Sequence, residues 1–150
     1  MGIRIVEIIV SEQIDRVGEL LREHWLELAK NKDLMVLKPD AARYAAMEQA
    51  GLVLALGAFD GAAMVGYSVS FITTHLHYAD LVFAQNDVLF IAQSHRLGRT
   101  GYRLIQATEQ LAKARGAQML VWHAKQDTPL DALLPRLGYG VQDILYSKTL

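Results

Sequence analysis

The chain has 150 residues, a length that closes one sizeable core, and residues 1–150 are read as a single domain. Hydrophobic residues make up 52% and charged residues 21%, which excludes a disordered or fibrous chain, and a formal net charge of −1 argues against a nucleic-acid binder. The absence of cysteine excludes a disulfide scaffold, a thiolate zinc site and a cysteine nucleophile.

Ile3, Ile5, Ile8 and Val10 predict an opening strand. Ser11 is the expected N-cap of a first helix, with Glu12 in its first turn. Ile14, Val17, Leu20, Leu21, Trp25 and Leu28 follow at helical spacing, and Trp25 is expected in the core. Asp40, after Pro39, caps a second helix that Gly51 stops.

A mean hydropathy of +0.16 raises the question of a membrane span, and the apolar stretch from Gly51 to Thr74 is long enough for one. Its interior argues otherwise. Asp60-Gly61 divides Leu52–Leu56 from Met64–Val69, and Asp-Gly between two β-prone runs signals a hairpin. Val65, Tyr67, Val69 and Phe71 alternate with small residues, as in a strand with two unlike faces. The start, Met1 to Val6, carries Arg4 and Glu7 close by, lacks the apolar core of a signal peptide and has Val6 where a myristoylation signal wants Ser or Thr. No membrane association is expected, and a cytoplasmic location is.

A further strand covers about Leu81 to Gln93, and the most regular helix starts near Thr100 and ends at Gly116. Met119–His123 reads as a buried strand, with His123 a satisfied core histidine. Pro129 opens a short helix terminated by Gly138, and Val141, Ile144 and Tyr146 predict a last strand. The fold class is α/β (α+β), and the strand–helix–strand unit over 85–124 implies one parallel pair in an otherwise antiparallel sheet.

Chemistry concentrates between Leu89 and Ile105. A strand ends, Arg96, Leu97, Gly98, Arg99, Thr100, Gly101 and Tyr102 follow, and a long helix begins. Unpaired N–H groups and the dipole at a helix start attract a phosphate, glycines admit it to the backbone, and Arg96, Arg99 or Arg103 can neutralise it. The plain alternative is an ordinary strand-to-helix turn with solvated arginines. Neither a Walker loop nor a Gly-x-Gly-x-x-Gly fingerprint is present.

In this loop, in its order of elements and in the ending Leu133-Leu134-Pro135-Arg136-Leu137-Gly138-Tyr139, the chain resembles the GNAT superfamily of N-acetyltransferases. The family loop runs Arg/Gln-x-x-Gly-x-Gly/Ala. Arg96 and Gly101 match its ends, Arg99 replaces the central glycine, and Gly98 sits one residue early. The resemblance implies a mixed, mostly antiparallel sheet with one splayed parallel pair and helices on both faces. It implies direct transfer of an acetyl group from acetyl-CoA, as cosubstrate, to a primary amine of a small molecule or peptide. Pantetheine would then lie along Phe90, Ile91 and Ala92, and the pyrophosphate on the amides from Leu97 to Tyr102. Direct transfer agrees with the absence of cysteine.

The resemblance assigns the carboxylate that takes the amine proton to Asp87; the alternative is a strand-end aspartate bonded to a loop or to water. The family's usual acid, a Tyr in the last helix, is Leu134 here, which leaves water, Tyr139 or Tyr146. His75 and His77 alternate in an extended segment, and the resemblance implies that they line the acceptor site. With Asp80 they offer no known metal geometry, so no metal is expected. His95 is expected to be solvated. A homodimer is compatible with the apolar surplus and common in the family. Two alternatives remain: a non-catalytic acyl-CoA-binding module of the same fold, and a partner-binding domain with no cofactor.

Overall fold

The computed structural model describes residues 2–150; Met1, the first residue of the segment read above for a signal peptide, lies outside them. A single five-stranded sheet has the order β1-β2-β3-β4-β5. Its strands are β1 (Arg4–Glu7), β2 (Val53–Asp60), β3 (Ala63–Thr74), β4 (Val82–Ile91) and β5 (Met119–Trp122). The first three pairings are antiparallel and β4 with β5 is parallel, joined by the crossover helix α4 (Thr100–Ala114). A parallel pair needs such a crossover, whereas β2 and β3 turn at Gly61, whose φ of +59° suits a tight hairpin. No helix among the described residues is long and apolar enough to cross a membrane.

Helices cover both faces. On one, Leu104, Ile105, Thr108 and Ala112 of α4 are buried, and Leu104 packs with Leu56, Ala58 and Val65. On the other lie α1 (Val10–Gln13), α2 (Gly18–Leu28) and α3 (Ala41–Gln49). Here Val10, Val53, Ala55 and Val69 form one cluster and Leu20, Tyr67, Phe90 and Ala92 another. Being covered on both sides, β2 is an apolar run from Val53 to Ala58 with no alternation. Leu104 is fully buried, and its truncation to Ala would cost about 2–5 kcal/mol.

Several expectations are corrected. The opening strand ends at Glu7, because Val10 begins a helix. Ser11 is not its cap: the Glu48 carboxylate, from α3, accepts from the N–H of Val10 at 2.7 Å and of Ser11 at 3.1 Å. The first helix breaks into α1, a 3₁₀ turn at Ile14–Arg16 and α2, with the restart at Gly18, a poor helix former. Asp40 does cap α3, accepting from Arg43 N–H at 3.0 Å. Met119–Trp122 is only half-buried, because β5 is a sheet edge.

The last strand does not form. After α5 (Pro129–Leu133) and a 3₁₀ turn ending at Gly138, residues 139–150 carry no regular secondary structure, and Val141, Ile144 and Tyr146 are exposed. Val141 and Ile144 are three apart, so they cannot share a strand face.

Candidate active site

The site begins with an irregularity in β4. Val88 pairs with Val69 and Asn86 with Ser70, so Asp87 is the extra residue of a β-bulge. The bulge reverses which way the strand faces. Ala84 and Asn86 point toward α4, whereas Val88 and Phe90 point toward α2. Asn86, fully buried, staples the bend: its Nδ2 lies 3.1–3.2 Å from Ser68 Oγ, Ser70 Oγ and the carbonyls of Val69 and Val88. Ser68 Oγ in turn meets Thr108 Oγ1 of α4 at 2.9 Å. The bulged Asp87 opens into a cleft on the α1–α3 side. Its apolar surroundings raise its carboxyl pKa, and His123 opposes that shift.

Beyond the bulge, the sheet splays. The parallel ladder joins Phe83–Asn86 to Met119–Trp122 and stops there, while β4 runs on to Ile91 without β5 beside it. Along this stretch one edge of the β4 backbone is open. The other edge stays close to β3. A Cβ on Gly66 would meet the Phe90 carbonyl oxygen at 2.9 Å, so only glycine fits opposite Ile91.

The strand then delivers the chain to the N-terminus of α4. No side chain caps it, and the first turn bond is Arg103 N–H to the Arg99 carbonyl, 2.9 Å. The preceding amides of Thr100, Gly101 and Tyr102 have no carbonyl four residues back within the helix. Gly98, at φ +146°, turns the loop into the helix. The three arginines divide. Arg96 forms a bidentate pair with Glu27 of α2, at 2.7 and 2.5 Å, and its Nε donates to the Ile91 carbonyl at 2.8 Å. Its guanidinium also lies over the Phe90 ring. Arg103 donates to the Ile3 carbonyl at 2.9 Å. Arg99, stacked on Tyr102, is the one of the three for which no such hydrogen bond appears among the described residues. Of the expected loop residues, Arg96 therefore ties the loop to α2 and closes off one strand carbonyl, while Leu97 is fully exposed.

Two residues not anticipated from sequence complete this end. His24 of α2 stacks on Phe90, ring centroids 4.6 Å apart, and its Nδ1 lies 2.6 Å from Tyr67 Oη. Burial, helped by Lys125, lowers the His24 pKa to about 4, so the imidazole is neutral at pH 7. Burial also raises Tyr67, which keeps its proton. The available sequence signal was position: His24 sits among Leu20, Leu21 and Leu28, on the inward stripe of its helix.

These parts line one cleft of about 1170 Å³. One end holds Gly98, Arg99, Gly101, Tyr102 and Phe90; the other holds Ile8, Val10, Ile14, Tyr44 and Val69; Asp87 and His123 also line it. His123 is exposed there rather than buried in the core, 3.2 Å from Gln85 Nε2. Trp25 is half-buried at the cleft, its Nε1 donating to the Met35 carbonyl at 2.5 Å. His75 and His77 lie in the β3–β4 connection and are not among the lining residues; the His77 N–H donates to His75 Nδ1 at 3.1 Å. Among the described residues, no three His, Cys, Asp or Glu are grouped to hold a metal ion. His95 is half-buried and bonds Asp60 at 3.1 Å. Leu134 is buried, the Tyr139 hydroxyl donates to Glu109, and Tyr146 is exposed.

No family model matches the chain, and no curated protein does. Solved structures do, over the whole chain. An aminoglycoside acetyltransferase from an uncultured soil metagenomic sample superposes with a TM-score of 0.79 at 18% identity, covering 100% of this chain and 99% of that one. A ribosomal-protein-alanine N-acetyltransferase from Brucella melitensis biovar Abortus gives 0.74 at 19%, covering 99% of each. Glucosamine-6-phosphate N-acetyltransferase from Arabidopsis thaliana gives 0.75 at 11%, again covering 99% of each. From its first strand to its last helix, this chain has the fold that these acetyltransferases share.

Proposed function

We propose that the protein is an acetyl-CoA-dependent N-acetyltransferase that passes the acetyl group directly to a primary amine of a small molecule or peptide. One observation carries this reading: β4 parts from β5 just where it bulges at Asp87, then leads into an uncapped helix N-terminus. An open strand edge suits the amide-bearing pantetheine arm, and the α4 amides suit the pyrophosphate. In this reading Arg99 and the amides of Leu97 to Tyr102 bind phosphate, and Phe90 to Ala92 orient the arm. The neighbours' printed acceptors, an aminoglycoside, a ribosomal protein and an amino-sugar phosphate, are all amine-bearing, which fits an amine here. A cytoplasmic setting belongs to the same reading.

An alkylammonium with a pKa near about 10 must lose its proton before it attacks. Asp87 receives that proton, and its raised pKa makes it a better base than a solvated carboxylate. The amine nitrogen bonds the acetyl carbon, the carbon–sulfur bond breaks, and the second proton leaving the nitrogen passes through water to the departing thiolate. In this reading acceptor contacts come from the cleft walls.

A second reading, a non-catalytic acyl-CoA-binding module, is favoured by Leu134 in the usual acid's place and by the engagement of Tyr139 with Glu109. Two measurements decide. Acetyl-CoA raises Tm by mass action under both readings, and an unchanged Tm overturns both. Thiol release above background with an amine panel occurs only for the enzyme.

A further inference from the structure

The neighbours that share this fold are named for acceptors of very different charge, so the fold leaves the acceptor class to the cleft walls. At the end away from α4, those walls are Ile8, Val10, Ile14, Tyr44 and Val69. The apolar surface continues outward. Met35, Val36 and Leu37, between α2 and α3, line the mouth with 51%, 71% and 40% of their surfaces exposed. The connection is held in position rather than loose, because Trp25 donates to the Met35 carbonyl and the Met35 N–H to the Asn31 carbonyl at 2.8 Å.

Charge in the cleft is sparse and leans positive. Its carboxylates are Glu27 and Asp87, and its cations are Lys38, Arg96, Arg99 and Lys125. Glu27 is consumed by Arg96, which leaves Asp87 as the one carboxylate among the lining residues without a salt bridge. Tyr44 is close enough for that carboxylate to help raise its phenol pKa, behind the larger effect of burial. One ammonium thus finds one carboxylate. A second ammonium on the same acceptor meets hydrocarbon or a like charge, which costs affinity because a buried charge needs a partner. A polyhydroxylated acceptor also leaves most of its hydroxyl groups unpaired, since Gln13 and Tyr44 are the polar uncharged side chains set among those valines and isoleucines.

We infer that the acceptor is a monoamine carrying an apolar, arylalkyl or alkyl body, its amine at Asp87 and its body against Ile8, Ile14, Val69 and Leu37. This rests on the transferase reading for its chemistry, but the selectivity belongs to the walls.

The test uses the full chain with 2-phenylethylamine, spermidine, sisomicin and glucosamine 6-phosphate. Two readouts run in parallel: acetyl-CoA-dependent thiol release, and tryptophan fluorescence, with Trp25→Phe identifying the cleft signal. 2-Phenylethylamine is expected to shift Trp25 fluorescence at the lowest concentration. Its kcat/KM should exceed each polar amine's by about tenfold or more, the worth of burying a ring. Leu37→Glu, on the exposed mouth, should narrow that ratio against spermidine severalfold. If acetyl-CoA raises Tm and a polar amine is the better substrate, the acceptor class is overturned and the transferase reading stands. If no amine releases thiol, the transferase reading fails while fluorescence still decides the class. Preferential 2-phenylethylamine binding upholds it, and tighter polar amine binding, or none by any amine, overturns it.

Discussion

The two ends of the cleft are made of different material. The end at α4 is made largely of backbone: an open strand edge, unpaired amides and glycines at Gly98 and Gly101. The phosphate and amide-rich arm proposed for it need little from side chains. The far end is made of side chains that reach one spot from α1, α3, β3 and β4. The first end tolerates sequence change as long as its path is kept, which is how Arg99 can stand where the family loop has glycine. The second changes character with each substitution. Structures at 11–19% identity therefore share the fold and are named for different acceptors.

The sharpest way to break this contrast is Gly101→Glu. A carboxylate at the first turn of α4 should abolish the acetyl-CoA-induced rise in Tm, while Gly101→Ala, which meets only the flexible tip of Ile91, keeps most of it. A full shift in the glutamate variant would move the phosphate elsewhere. At Asp87, between the two ends, replacement by Asn should lower turnover by about 100-fold or more, the usual worth of a general base, with the acetyl-CoA shift retained. Turnover within a few-fold of the parent would remove Asp87 from the mechanism.

His24 sharpens the contrast through pH. Its pKa falls from 6.5 to about 4 on folding, so between these values the unfolded chain binds more protons. Its contribution is present above pH 6.5 and is lost as pH falls through about 4, with a magnitude on the order of 3 kcal/mol. Urea unfolding at pH 7 and pH 4.5 should show this loss in the parent and a smaller one in His24→Gln. Equal losses would show that the stacked imidazole does not govern acid stability. Next in size is Asn86→Ala, which removes the donor to the Val69 and Val88 carbonyls and to Ser70 Oγ and should cost about 1–3 kcal/mol in the same assay. The smallest effect is expected for Glu27→Gln. That half-exposed pair should be worth within about 1 kcal/mol, with a modest drop in acetyl-CoA affinity once Arg96 is released.

Legibility followed the same division. The Asp60-Gly61 hairpin, the Asp40 cap and the stripe of α4 were readable because each signal lies within a few residues. The loop into α4 was readable for that reason too. The Asp87 bulge was not, since it exists only in register against Val69 and Ser70. Glu48 capping Val10 from 38 residues away, Glu27 claiming Arg96, and His24 reaching Tyr67 were invisible for the same cause. The missing last strand shows the reverse error: apolar residues were present at 141, 144 and 146, but their spacing did not give one face.

Sequence alone determined most element types, the single parallel crossover and the glycine-bearing turn into α4, because backbone preference and apolar period act locally. It also set the absence of cysteine, which agrees with direct transfer. Tertiary structure decided which arginine is left outside an ion pair or backbone bond among the described residues, which face Asp87 presents, and which side chains line the cleft. Those depend on pairings between distant segments, where one residue of register turns a side chain from one helix layer to the other.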